Sequence, residues 1–241
     1  MSKIELNVPV CNETKLTFDI PSIKNLLPSL EIGDFAVLHG SRSISFLSSF
    51  LCVKAQMPSQ LGGLATKAIF IDGANTFRLY KISRIAQLQN LNPKQVLDKI
   101  YIARAFTAYQ MKSLIIQKLK QVIKETGAKL IVLSDIAATF LDYDTPEEET
   151  QKIYNQVIAY LSNFSQENQV IIVATYPSHE STKRNNQLYA TTYDKATVVA
   201  SLSWIKNHRA FILEKHSHFA TGSTEFQPGY TTLPELLECY D

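Results

Sequence analysis

Histidine and carboxylate side chains that could bind a metal come together near the C-terminal end of the chain. Glu214, His216 and His218 alternate, so in a strand they would share one face, and both residue types are common zinc ligands. This alternation is more typical of the exposed end of a surface strand. The sequence contains neither a serine nucleophile elbow nor a Cys–His pair in a recognisable context. We therefore predict no metal centre and no catalytic residues of these types.

A polar segment, Pro177–Asp194, is the second candidate for chemistry. It has no strong hydrophobic period and is long enough to be a functional loop. Basic side chains between aromatic rings can hold single-stranded nucleic acid by charge and stacking. The segment offers Lys183, Arg184, Tyr189 and Tyr193 for this purpose, although two charges and two tyrosines are also ordinary loop composition. These four residues are the candidate DNA-binding set.

The charge of the whole chain does not favour a nucleic-acid or membrane partner. Its 24 basic and 22 acidic side chains give a formal net charge of +2, so any such binding must come from a local patch. One basic face is predicted on an amphipathic helix, and we interpret it as a solvated surface. Its members are Lys112, Lys118, Lys120, Lys124 and Lys129.

The elements that must position these residues follow from hydrophobic patterning. Short, nearly continuous apolar runs alternate with segments of helical period, which is typical of parallel strands buried on both faces. The runs are Phe35–His39, Ala68–Asp72, Ile100–Ala103, Leu130–Ser134 and Val170–Thr175. We predict an α/β fold: a doubly wound, mostly parallel sheet with helices on both faces.

The C-terminal part has a different pattern. Thr197–Trp204 and Arg209–Lys215 are strand-like and are joined by a turn at Lys206–His208, which predicts an antiparallel hairpin at the sheet edge. Trp204 lies in the first of these runs, so packing is its expected role. We assign residues 1–20 to an N-terminal arm or extra strand and residues 21–241 to one core domain.

Cysteine usage and apolar run lengths predict the compartment. Cys11, Cys52 and Cys239 are odd in number and widely spaced, which argues against a disulfide framework and for a reducing compartment. No apolar run approaches the ~20 residues of a membrane span. We expect a cytoplasmic protein without a membrane partner.

One long series of residues resembles a known family. Ile71–Arg78 is followed by Ile82, Ile85–Ala86, Leu91–Pro93, Val96–Leu97 and Ile100–Phe106. In residue types and spacing this series is similar to the RadA and eukaryotic recombinase branch of the RecA family. Weaker matches extend the resemblance over about residues 20–228. Members of the family are ATP-dependent strand-exchange proteins that polymerise on single-stranded DNA. The resemblance therefore implies the RecA-like fold and a role in DNA recombination and repair, as an archaeal RadA paralogue.

The family's phosphate-binding loop is degenerate in this chain. Such a loop needs glycines that free backbone N–H groups, a lysine that neutralises the phosphates and a hydroxyl for Mg²⁺. Here Ile44 falls where the lysine belongs, Ser43 replaces the second glycine, and the loop is about two residues short. Only Ser45 remains as a metal-side hydroxyl. The residues assigned to this loop are Gly40, Ser41, Arg42, Ser43, Ile44 and Ser45.

The carboxylates of the family's site are also displaced. The catalytic carboxylate corresponds to Ala74, and a methyl group cannot act as a general base. The metal-supporting acid corresponds to Ser134, while Asp135 comes one residue late and should face the other way. Arg78 matches a family arginine that stacks on the purine, and Asp72 completes the degenerate pocket.

The first DNA-binding loop of the family is basic, but its counterpart here is acidic. Phe140–Glu149 contains five acids and no base, which would repel phosphate. The same acids suit a helix N-terminus, where Thr145 and Glu148 are predicted to form a capping box. We expect this DNA site to be lost.

The sequence supports a non-catalytic RadA-like paralogue, a pseudo-ATPase that regulates or assists homologous recombination and DNA repair. Its expected partner is the cognate RadA-type recombinase or another paralogue, with single-stranded DNA as a candidate. No cofactor is expected. Two alternatives stay open: a weak ATPase that uses ATP and Mg²⁺ through Arg42, Ser45 and Asp135, and a stand-alone DNA-binding module that uses Lys183 and Arg184.

Overall fold

A computed structural model describes residues 15–142, 145–205 and 208–226. Its main sheet has eight strands in the order β10-β9-β8-β3-β7-β6-β4-β5, and a separate two-stranded sheet pairs β1 with β2. The strands are β1 (Lys15–Leu16), β2 (Leu30–Glu31), β3 (Phe35–Gly40), β4 (Ala68–Asp72), β5 (Ile100–Arg104), β6 (Leu130–Ser134), β7 (Ile171–Pro177), β8 (Val198–Ile205), β9 (His208–Lys215) and β10 (Gly222–Glu225). Strands β3 to β8 are mutually parallel. Strand β9 is antiparallel to β8, and β10 is antiparallel to β9.

Helices cover both faces of the main sheet, as predicted for a doubly wound fold. They are α1 (Pro21–Lys24), α2 (Ile44–Lys54), α3 (Leu79–Leu88), α4 (Pro93–Leu97), α5 (Ala108–Lys112), α6 (Leu119–Thr126), α7 (Ala138–Leu141), α8 (Glu147–Glu167) and α9 (Lys183–Lys195). A 3₁₀ turn (Ser59–Leu61) follows α2, and a π-helical segment (Ser113–Lys118) joins α5 to α6.

The strand alternation divides the core into two layers. In β3, Ala36 and Leu38 pack with α2 and α3 on one face, whereas Phe35 and Val37 pack with α8 on the other. This two-sided burial accounts for the continuous apolar runs in the sequence. Because the central strands are parallel, their carboxyl ends, with the loops that follow them, meet at one edge of the sheet.

The C-terminal hairpin is confirmed, with one addition and one correction. β8 pairs with β9 as predicted, and β10 adds a further antiparallel strand; residues 206–207 of the predicted turn lie outside the described residues. Trp204 does not pack in the core as expected. Its side chain is 58% exposed and lies against the guanidinium of Arg209, 5.1 Å from the ring centre.

The predicted loop Pro177–Asp194 is wrong, because most of it forms α9. Thr182 caps this helix by accepting a hydrogen bond from the Asn185 N–H at 3.1 Å. Polar side chains occupy part of its buried face, including Arg184 and Thr192, so the sequence lacks the apolar period of an amphipathic helix.

The N-terminus of α8 differs from the sequence prediction in detail. The helix begins at Glu147 after Pro146, with three glutamates in its first turn as the helix dipole favours. Among the residues that the structure describes around this helix, no side chain caps it by a hydrogen bond, so the predicted capping box is wrong. The Thr145 carbonyl instead accepts a hydrogen bond from Arg184 at 3.1 Å.

The remaining sequence expectations concern the cysteines, the N-terminal arm and membrane-spanning segments. Cys52 is buried and free, whereas Cys11 and Cys239 lie outside the described residues. Of the predicted N-terminal arm, residues 1–14 also lie outside them, and Lys15–Leu16 forms β1 against β2. Within the described ranges, no helix is both long and apolar enough to cross a membrane.

Candidate functional site

The loop that joins β3 to α2 is closed on itself by backbone hydrogen bonds. The Ser41 N–H donates to the carbonyl of Leu202 on β8 at 2.8 Å, and the Ser43 N–H donates to the Ser41 hydroxyl at 3.3 Å. The next three N–H groups, of residues 44–46, each donate to the carbonyl three residues earlier, at 2.9 to 3.1 Å. A phosphate-binding helix N-terminus presents such N–H groups to its ligand. Here five of them already have protein acceptors.

Two residues of this loop fix the closed shape. Gly40 has φ +104°, and a Cβ atom at this position would lie 2.3 Å from the Leu202 carbonyl oxygen. Only glycine allows so close an approach between β3 and β8. Ile44 is 1% exposed and belongs to the core layer under α2, so it directs no side chain to a ligand.

Basic side chains contact the hydroxyl groups of the loop. Lys81 of α3 is 8% exposed, and its Nζ donates to the Ser45 Oγ at 3.4 Å. Burial, with a smaller contribution from the positive charge of Arg78, lowers the pKa of Lys81. Arg209 of β9 donates to the Ser43 Oγ at 3.2 Å. Arg42, the third cation near the loop, is exposed.

The ends of β4 and β6 form a second hydrogen-bonded unit. Asp72 is 1% exposed, and its carboxylate accepts hydrogen bonds from the N–H groups of Thr76 at 2.9 Å and Phe77 at 3.0 Å. The Thr76 hydroxyl also bonds to the Ser134 hydroxyl, which lies at the same register on β6. Ala74 is exposed in the loop that these bonds shape. The Asp72 carboxylate therefore organises a turn.

Asp135 belongs to a different unit from Ser134. It has φ +48°, and its carboxylate accepts from the Ala138 N–H at 3.2 Å and pairs with the His179 Nε2 at 2.9 Å. Its own N–H donates to the Thr175 hydroxyl at 2.9 Å. These contacts connect Asp135 to α7 and to the segment that follows β7.

Arg78 lies at the start of α3 and is exposed. Its guanidinium donates to the Asn75 carbonyl at 2.7 Å and to the Phe77 carbonyl at 3.3 Å. The structure therefore brings the predicted pocket residues to one edge of the sheet, but as separate bonded units: Ser45 with Lys81, Ser43 with Arg209, Asp72 with Ser134 through Thr76, and Asp135 with His179.

These units do not fit the magnesium nucleotide that the family resemblance implies. Five loop N–H groups have protein acceptors, Ile44 is buried at the position that the resemblance assigns to the lysine, and Ala74 offers only a methyl group at the position that it assigns to the catalytic base. Lys81 places a cationic group beside the hydroxyl that would coordinate Mg²⁺. The geometry can hold the sheet edge together, but it presents no phosphate cradle.

The four candidate DNA-binding residues do not form one exposed surface. Lys183 is exposed, but Arg184 is 7% exposed and donates to the Thr145 carbonyl and the Thr150 hydroxyl. Tyr189 packs edge-on against Tyr176 and His39, and Tyr193 lies under the ammonium group of Lys215. The helix thus turns three of the four side chains towards the protein.

Glu214 has a structural partner that the sequence did not reveal. The His39 Nε2 lies 2.8 Å from its carboxylate and 3.0 Å from the Tyr189 hydroxyl. This hydrogen bond to His39 lowers the pKa of Glu214 against the opposing effect of burial. No group of residues with metal-site geometry occurs in the described ranges.

Sequence reasoning missed Lys81, Thr76 and His179. The signal for Lys81 was available, because it lies four residues before Ile85 and so shares the buried face of α3. His179 had no such signal, since its partner Asp135 is 44 residues away. Thr76 also had no signal, because its role depends on the register of β4 against β6, which places Asp72 beside Ser134.

Comparison with known proteins agrees with this fold. A family model described as Rad51 matches residues 37–206, well over half of the chain. The chain therefore belongs to the Rad51 family. It is 35% identical over 133 residues to proteins from Mus musculus and Homo sapiens, each named meiotic recombination protein DMC1/LIM15 homolog. Each alignment covers 54% of this chain and 39% of the relative, so the chain spans about two fifths of the curated relatives' length.

The contact between Gly40 and Leu202 predicts a large effect of a single methyl group. We expect Gly40→Ala to lower the free energy of unfolding by about 3 kcal/mol or more, because it combines positive φ with a backbone clash. Gly127→Ala is the matched control: Gly127 also has positive φ, but nothing lies within 4 Å of its Cβ position, so about 1 kcal/mol is expected. Urea denaturation of both variants measures the difference. Equal losses would contradict the close contact.

Lys81 predicts a pH dependence of stability. Its lowered pKa means that the unfolded chain retains a proton on Lys81 at pH values where the folded protein has lost it, so the contribution of Lys81 to stability should rise as pH increases towards 10.5, the ordinary lysine value. We expect Lys81→Met to remove this rise. Urea denaturation from about pH 8 to about pH 10.5 tests this expectation. Lys120→Met, at an exposed position on α6, should retain the slope of the unsubstituted protein. Parallel curves for the unsubstituted protein and Lys81→Met would refute it.

Proposed function

We propose that this chain is a non-catalytic Rad51-family protein that acts in homologous recombination and DNA repair by associating with a catalytic recombinase. The observation that carries this proposal is the closed loop between β3 and α2, whose N–H groups bond within the protein. A scaffold that keeps the family fold but presents no phosphate cradle suits a regulatory subunit. The recombination role is supported by the family match and by the names of the two relatives.

Magnitudes support the non-catalytic part of the proposal. Charge-assisted hydrogen bonds contribute about 1.5–3 kcal/mol each. Loss of the lysine and of two or three N–H donors would therefore cost roughly 4–6 kcal/mol, or a thousandfold or more in nucleotide affinity. The alternative of a weak ATPase needs Asp135 as a metal-side acid, but the contacts of Asp135 are with His179 and Ala138. No nucleotide or metal cofactor is part of the proposed function.

The surface that suits a recombinase partner is the outer edge of β5. This strand ends the sheet order, so its outward backbone groups are not paired with another strand in the described part of the chain. Tyr101 and Ile102 on the strand are 40% and 46% exposed, and Phe106 and Tyr109 just beyond it are 69% and 51% exposed. An apolar edge strand is a template for β-strand addition by a second protein. We propose that a RadA-type recombinase, or another paralogue, binds here through an extended segment.

A pull-down with a catalytic Rad51-family recombinase tests the accessory role. We expect the chain to retain the recombinase at moderate salt, with or without nucleotide. Ile102→Lys should weaken this association by about tenfold or more, because it places a charge on the binding edge.

Leu61→Lys provides the matched control for this substitution. Leu61 is 55% exposed on the 3₁₀ turn after α2, and the next residue, Gly62, accepts a hydrogen bond from the Thr17 N–H outside the main sheet, so the substitution should leave binding unchanged. The accessory role would be contradicted if no recombinase were retained, and the β5 surface if both substitutions had the same effect.

A further inference from the structure

His216 occupies an unusual position in the turn between β9 and β10. Its Nδ1 atom accepts two backbone hydrogen bonds, from the His218 N–H at 3.0 Å and from the Phe219 N–H at 3.2 Å. Its ring also lies against the ring of Phe219, with 4.4 Å between the ring centres. Phe219 in turn packs against the core layer that contains α1 and α2. The imidazole therefore stabilises the turn through two backbone hydrogen bonds and one ring contact.

The two accepted hydrogen bonds determine the protonation state of the ring. A nitrogen that accepts a hydrogen bond carries no proton, so neutral His216 has its proton on Nε2. The Nε2 atom is buried, and no acceptor in the described residues lies within hydrogen-bond distance of it. A second proton could bind only at Nδ1, and this would remove both bonds that hold the turn.

The surroundings of His216 favour the neutral ring. Burial is the largest effect and lowers the pKa of His216 below the ordinary value of 6.5; the charge of His218 acts in the same direction. The carboxylates of Asp34 and Glu31 act in the opposite direction but do not overcome burial. Lys215, which lines the same cleft, donates to the carbonyls of Tyr193 and Asp194.

We propose that His216 is a proton-sensitive latch: in its neutral form it holds β10 on the sheet, and its protonation at mildly acidic pH releases that strand. β10 is the outermost strand and pairs with residues 210–213 of β9. Just beyond it, Phe226 donates to the Arg209 carbonyl at 2.9 Å and is 9% exposed. Release of β10 uncovers the backbone edge of β9, which becomes a second site for strand addition. The latch goes beyond the proposed accessory function and does not depend on it.

The direction of the pH effect follows from proton linkage. Because folding lowers the pKa of His216, the opened turn binds a proton more readily than the closed turn does. The latch therefore contributes its full stability above about pH 6.5, and this contribution is lost as pH falls through the folded pKa. Between about pH 6.5 and the folded pKa, the ratio of closed to open turn should fall by up to about tenfold per pH unit, and below the folded pKa it should level off.

NMR hydrogen exchange of the whole chain tests the latch directly. The imidazole signals of His216 report its protonation, while the amides of residues 223–226 report whether β10 is attached. We expect their protection factors, corrected for intrinsic exchange, to fall by up to about tenfold per pH unit as the pH drops from about 6.5 to the folded pKa of His216. Protection in β4, an interior strand far from β10 in the sheet order, should stay unchanged. The proposal would be overturned if His216 became protonated without loss of β10 protection, or if β4 lost protection to the same extent.

Two variants separate the latch from neighbouring groups. His216→Asn keeps an oxygen that can accept hydrogen bonds from the same turn N–H groups but does not titrate. The amides of β10 should therefore stay protected at neutral and at mildly acidic pH. His218→Gln, at the exposed neighbouring histidine, should keep the pH response of the unsubstituted protein. If His218→Gln lost the pH response, the response would belong to His218, and this result would contradict the proposal. If His216→Asn disturbs the turn at neutral pH, the exchange data on the unsubstituted protein still decide.

Discussion

The hydrogen bond from the Ser41 N–H to the Leu202 carbonyl determines what the carboxyl edge of the sheet can do. It draws the loop after β3 onto β8. Only a glycine at position 40 allows the two backbones to come so close, because a Cβ atom there would clash with the Leu202 carbonyl. With the loop in this position, the following N–H groups find acceptors three residues back and α2 begins immediately at Ile44. The N–H groups at the helix N-terminus, which in a phosphate-binding protein face the ligand, then have hydrogen-bond acceptors within the chain.

The polar residues around this loop complete the same arrangement. A nucleotide-binding site must hold charged groups ready for a ligand, and such groups are costly when buried without partners. In this chain the Lys81 ammonium lies on Ser45, the Asp72 carboxylate on the turn at Thr76, and the Asp135 carboxylate on His179. These charged groups at the carboxyl edge are therefore used as internal supports. Their contacts hold the sheet edge together from within the protein.

The layered fold could be predicted from the sequence because two-sided burial leaves a direct signal in continuous apolar runs such as Leu130–Ser134. The position of the loop between β3 and α2 could also be predicted, because it follows one of these apolar runs. The helix α9 could not, since Arg184 and Thr192 on its buried face form hydrogen bonds with other parts of the fold, Arg184 with the Thr145 carbonyl and Thr192 with the Tyr154 hydroxyl of α8. The same limit applies to His179 and Asp135: pairs joined only by the tertiary fold leave no local pattern. Trp204 was mispredicted because strand alternation does not reveal which face an edge hairpin exposes.

Titration calorimetry with Mg²⁺ and ATP tests the central claim most directly. If the loop N–H groups are bound within the protein, titration of ATP with Mg²⁺ should give no saturable heat up to about 1 mM nucleotide, the affinity left after a roughly thousandfold loss from the micromolar range. Saturable binding with micromolar affinity that disappears when Mg²⁺ is removed would contradict the account, since it would require the Ser41–Leu202 bond to open and the N–H groups to turn to the phosphates.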